Sequence, residues 1–99
     1  MCGAPDQAGA LPAHVDLTTQ TVLAGRVIAG DQPVGGAFVR LLDETGEFTA
    51  EVVSSESGDF RFFAAPGTWT LRALSRSGTG EAVLAPEGPG LHRAVVAVA

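Results

Sequence analysis

Cys2 is the only thiol in 99 residues, and it stands beside the initiator methionine. Methionine is cleaved before small residues such as Cys, so Cys2 is predicted to become the mature N-terminus with a free α-amino group. An ammonium next to a thiol favours the thiolate. Thiolate is the form that undergoes exchange or takes up sulfane sulfur. The chemistry open to Cys2 is therefore that of a persulfide carrier. The plain alternative is an inert thiol in an irregular tail. A single cysteine leaves no internal disulfide.

Other reactive residue types are scattered. Cys2, His14 and His92 lack the spacing of a metal site, so no metal or other cofactor is expected. Asp43, Glu44, Glu47, Glu51, Glu56 and Asp59 lack the ordered spacing of a calcium loop and read as solvated turn residues. No nucleophile elbow accompanies the histidines, which argues against Ser-His-Asp catalysis. The segments "GTG" and "GPG" precede no helix and read as hairpin turns rather than phosphate loops. The chain is expected to be non-enzymatic by itself.

Charge narrows the partners. The 11 acidic and six basic residues give a net charge of −5, which repels phosphate backbones, so nucleic acid is not an expected partner. All six basic residues are Arg, and no Lys, Asn or Tyr occurs. The absence of Lys removes Schiff-base chemistry. Arg binds anions bidentately, although a codon bias towards Arg produces the same composition. The first residues lack a basic n-region and a continuous apolar h-region. No apolar run approaches the roughly 18 residues of a membrane span. A cytoplasmic location without membrane insertion is predicted.

The elements that must carry any site follow from texture. Residues 1–20 show no clean period and read as an irregular N-terminal tail that docks through Leu11, Val15 and Leu17. From Thr21 onward, short apolar runs alternate with Gly- and Pro-containing turns: 21–28, 36–43, 48–55, 59–65, 68–75, 80–85 and 92–99. Seven runs spaced about ten residues apart predict one all-β domain over 21–99, a seven-stranded antiparallel β-sandwich. Alternation assigns the faces. Leu23 and Val27, Ala37, Val39 and Leu41, Phe48, Ala50 and Val52, Phe60 and Phe62, and Trp69, Leu71 and Ala73 fall in the core phase, with Trp69 as the largest piece.

The opposite phase holds Phe38, Arg40, Leu42, Arg61, Phe63, Arg72 and Leu74. If their strands share a sheet, they make an apolar surface studded with Arg, the composition of a protein–protein or homo-oligomer interface. The alternative is cover by the tail, with Arg paired to Glu51 or Glu81.

Two resemblances rest on particular motifs. "LAGRV", "QPVGGAFVRLLD", "SSESGDFRF" and "PGTWTLRA" resemble the carboxypeptidase regulatory-like domain over residues 21–85. That resemblance implies a seven-stranded sandwich of the transthyretin-like, Greek-key type and little about activity. "MCGAP", "GGAFVRLLD", "EFTAEVV" and "DFRFFAAPGTWTLRALS" resemble the small actinobacterial family of unknown function called SseC. Its members are associated with neighbouring thiosulfate sulfurtransferases of the rhodanese type. This resemblance implies an accessory or binding role in sulfur metabolism with a sulfurtransferase partner. A generic interaction module without a sulfur role, and a sulfur carrier acting through Cys2, are the alternatives. The chain departs from two enzymes of related fold. It ends "AVVAVA" where hydroxyisourate hydrolases end in Tyr-Arg-Gly-Ser, and it lacks the Tyr ligands of intradiol dioxygenases.

Overall fold

The computed structural model describes residues 15–99. Eight strands follow in order: β1 (Thr21–Ala29), β2 (Gln32–Pro33), β3 (Phe38–Leu42), β4 (Phe48–Val53), β5 (Asp59–Phe63), β6 (Trp69–Ser75), β7 (Gly78–Leu84) and β8 (Gly90–Ala97). The eighth strand relative to expectation is β2, a two-residue ladder that folds back on the end of β1. Its second residue is Pro33, which cannot donate to a ladder and keeps the strand short. β7 starts at Gly78 rather than at residue 80. The reason is a tight turn after β6: Ser75 Oγ donates to the Gly78 carbonyl at 3.1 Å and accepts from Ser77 N–H at 3.1 Å.

One sheet runs β4-β3-β6-β7, every pair antiparallel. The other is built on β1, which pairs antiparallel with β2 and β5 and parallel with β8. The two sheets pack as a sandwich. Their inner faces supply the core: Leu23 and Val27 of β1, Val39 and Leu41 of β3, Phe60 and Phe62 of β5, Leu71 and Ala73 of β6, and Val96 of β8. These are the alternate positions of each strand, as the period-two rule requires. The rings of Phe60 and Phe62 lie 6.2 Å apart at a tilt of 54°, within the range of favourable aromatic pairs.

Two core expectations change. Phe60, not Trp69, is the largest fully buried side chain. Trp69 opens β6 and only packs against the core margin. Its indole N–H needs an acceptor and finds the Ala65 carbonyl at 2.8 Å. Phe48 lies outside the core altogether, 61% exposed. The register between β3 and β4 shifts between Leu41 and Leu42, so that Leu41 faces Ala50 while Leu42 faces Phe48. Such a bulge inserts one residue, here Thr49, and moves everything beyond it to the other face.

The sandwich closes where β7 meets β8. Ala99 N–H donates to the Thr79 carbonyl at 3.2 Å. A Cβ at Gly80 would strike the Ala97 carbonyl, so only glycine allows that approach. Ahead of β1, Asp16 accepts from the backbone N–H and the hydroxyl of Thr18 at 2.9 and 2.6 Å, a self-capped turn. In this segment Val15 is half-buried, while Leu17 is exposed. Leu11 lies outside the described residues.

Candidate functional site

The site grows from one row of four side chains. In the middle of the β4-β3-β6-β7 sheet, Arg40 sits directly opposite Glu51 on one side and Arg72 on the other, and Arg72 sits opposite Glu81. The outer face therefore carries the row Glu51–Arg40–Arg72–Glu81 across all four strands. Arg40 Nε donates to Glu51 Oε2 at 2.7 Å. Arg72 pairs with the Glu81 carboxylate through Nε and Nη2. Both Arg side chains remain close to half exposed, at 45% and 44%. Exposed ion pairs of this kind contribute about 0–1 kcal/mol each.

Apolar side chains flank the charged row. Towards one end, Val53, Phe38 and Leu74 are cross-strand neighbours. Towards the other, Phe48 faces Leu42, Leu42 faces Thr70, and Thr70 faces Val83. Phe38 is 50% exposed, Phe48 61% and Val83 63%. With Val53, also exposed, four large apolar side chains stand on one open sheet face with Arg between them, the make-up of a contact surface.

The structure sorts the expected face residues. Phe38, Arg40, Leu42, Arg72 and Leu74 share one face of this sheet, because β3 pairs with β6. Leu42 is buried rather than available, only 7% exposed, and sits between Phe48 and Thr70. Arg61 and Phe63 do not join the others. β5 pairs with β1, which puts them on the outer face of the opposite sheet, in register with Ala24 and Val22. Alternation gives the side of a strand, not the sheet it enters. The face also includes residues that reasoning missed. Val53 and Val83 were legible, since they share the phase of Glu51 and Glu81. Phe48 was not, because only the bulge turns it outward.

The Cys2 expectation falls outside the described residues, as does His14. His92 lies on β8 with Nε2 3.1 Å from the Gly88 carbonyl. Among the described residues, no group of three metal-ligating side chains comes together, and no helix is long and apolar enough to cross a membrane. Acidic turns are local structures: Asp43 Oδ1 accepts from the Thr45 hydroxyl at 2.6 Å and from the N–H groups of Thr45 and Glu47. These bonds, the Thr45 hydroxyl first, hold the Asp43 carboxyl below its usual range.

Comparison with known proteins adds lineage. Residues 2–98 match the model of a family described as a protein of unknown function, DUF1416. The chain belongs to that family. Two uncharacterized proteins of Mycobacterium tuberculosis are each 63% identical to it over 99 residues, covering 99% of both chains. An uncharacterized protein of Mycolicibacterium smegmatis is 63% identical over 90 residues, 90% of this chain and all of the relative. Among solved structures, a DUF3823 family protein from Parabacteroides merdae superposes with a TM-score of 0.63 at 15% identity. The match covers 82% of this chain and 46% of that one. At that identity the likeness concerns the fold alone. This member of the DUF1416 family is thus an all-β sandwich.

Proposed function

We propose that this DUF1416 member is a non-catalytic binding protein that docks a protein partner through the outer face of the β4-β3-β6-β7 sheet. The observation that carries the reading is the set of exposed apolar side chains on either side of the Arg40–Arg72 centre, Phe38 beside Val53 on one side and Phe48 and Val83 at the two sheet edges on the other. Exposed large apolar side chains grouped with Arg on one sheet face have the composition of an interaction site. The four paired strands of this sheet already present these side chains on its outer face, which suits docking.

The partner class follows from the motif resemblance to the SseC family: a thiosulfate sulfurtransferase of the rhodanese type, with a supporting role in sulfur metabolism. Isothermal calorimetry of the whole chain against a rhodanese-type sulfurtransferase from the same cell tests both parts. Saturable binding is expected, weakened at least about tenfold, or about 1.4 kcal/mol, by Phe38→Ser with Val83→Ser. No heat with wild type removes the sulfurtransferase as partner. Binding that is unchanged in the double variant removes this face as the contact.

A further inference from the structure

We infer that the partner of this face presents a carboxylate held between apolar side chains, and that the Arg40–Arg72 pair receives it. The inference deepens the docking reading above and rests on it.

Like charges directly opposite each other on neighbouring strands destabilise a sheet. Arg40 and Arg72 are such a pair, at the middle of the face. Glu51 and Glu81 offset the repulsion, but each stands on the outer flank of its Arg, on β4 and β7. The four charges sum to zero, yet their order does not cancel: positive at the centre, negative at both margins. A guanidinium offers five N–H donors in a planar fork, and a single carboxylate engages at most two of them. Each Arg therefore keeps donors for another acceptor, and both side chains reach solvent. An anion approaching the middle meets two guanidiniums. One approaching the margins meets Glu51 or Glu81.

The same order speaks against a second copy of the chain as the occupant. A two-fold axis that packs this face on itself through the centre of the row sets the guanidinium pair against its own image. Like-charge juxtaposition across an interface suppresses association. Apolar neighbours on both sides of the charged row distinguish a peptide-borne carboxylate from a free anion. Phe38 with Val53 on one side, and Phe48 with Val83 on the other, accept apolar side chains that flank the acid. The matching chemistry is a protein segment with Glu or Asp between apolar residues. Arg is the residue suited to such planar, bidentate recognition.

The test is NMR titration of the 15N-labelled full chain with the peptide Ac-Thr-Phe-Glu-Val-Thr-NH2, alongside the same peptide with Gln or Lys in place of Glu, and inorganic phosphate. Light scattering at the same protein concentration reads self-association. Saturable shifts on β3 and β6 are expected with the Glu peptide, at least fivefold weaker with the Gln peptide, and absent with Lys. Arg40→Gln with Arg72→Gln is expected to abolish the preference for Glu over Gln while leaving the dispersed spectrum of a folded chain. Arg40→Lys with Arg72→Lys, which keeps charge but loses the fork, is expected to retain only part of it. Equal shifts from the Glu and Gln peptides overturn the inference, as do equal shifts from phosphate, no saturable shifts, or a dimer in scattering that Arg40→Gln strengthens. Failure here with intact sulfurtransferase binding leaves the docking reading standing. Success here with no sulfurtransferase binding removes that partner and keeps the acidic segment.

Discussion

At the scale of single residues, burial and hydrogen bonding decide which side chains matter for stability. Phe60 fills the middle of the core with no exposed edge to speak of, so Phe60→Ala is expected to cost about 3–5 kcal/mol. Trp69→Ala is expected to cost less, because the indole lies at the margin. Urea denaturation of the two variants checks the order. Ser54 is a buried polar residue with a full set of tasks: its hydroxyl donates to the Val34 carbonyl at 2.7 Å and accepts from Ala37 N–H at 2.9 Å. It ties the approach to β3 to the end of β4. Asp43 makes an acid-sensitive contribution. Its carboxyl is lowered from the ordinary value of 3.8, first by the Thr45 hydroxyl and then by the Glu47 N–H. A depressed folded-state value means that its contribution is present above that ordinary value and is lost as pH falls through the folded one. Thr45→Ala is expected to raise the Asp43 titration towards 3.8 and to flatten the acid side of the stability curve. NMR titration and acid unfolding read the two effects.

At the scale of elements, the strands follow their sequence phase except where a bulge or a close approach intervenes. The shift between Leu41 and Leu42 turns Phe48 outward, and without it the face would lose one of its apolar anchors. β7 can lie against β8 only because Gly80 has no side chain. Gly80→Ala is expected to destabilise the fold by roughly 1–3 kcal/mol through overpacking. Gly88→Ala, where a Cβ meets open space, is expected to change stability by less than about 0.5 kcal/mol. Thermal unfolding of the pair separates steric need from a general glycine effect. Strand existence was legible from alternation and turn residues. The limits of β7 and the presence of β2 were not, because both depend on hydrogen bonds to partners rather than on local pattern.

At the scale of the molecule, the distribution of charge organises the surface. The acid–base pairs on the strands, Arg26–Asp59, Arg40–Glu51 and Arg72–Glu81, each join neighbouring strands of one sheet. Many remaining carboxylates occupy turns, Asp43, Glu44, Glu47 and Glu56 among them. The chain is acidic as a whole, yet the middle of one face is cationic. The outer face of the other sheet also carries Arg, with Arg61 and Arg93 both in register with Ala24. The Arg40–Arg72 pair differs in standing directly opposite each other at the middle of a face with Glu51 and Glu81 at its margins. Raising ionic strength is expected to weaken the Glu-peptide shifts more than those of the Gln peptide, because screening acts on the charge term alone.

Local alternation was enough to separate the core residues from Arg40, Arg72, Arg61 and Phe63. Period two is a property of each strand, and burial of one face imposes it residue by residue. Pairing is a different matter. That Arg40 stands beside Arg72, 32 positions away, while Arg61 leaves for the other sheet, depends on which strands meet across the sandwich. That choice is made by burying all the inner faces at once, and no short stretch of the chain contains it. The charged row and its central pair exist only in the folded sheet, although each of its four residues was visible one by one.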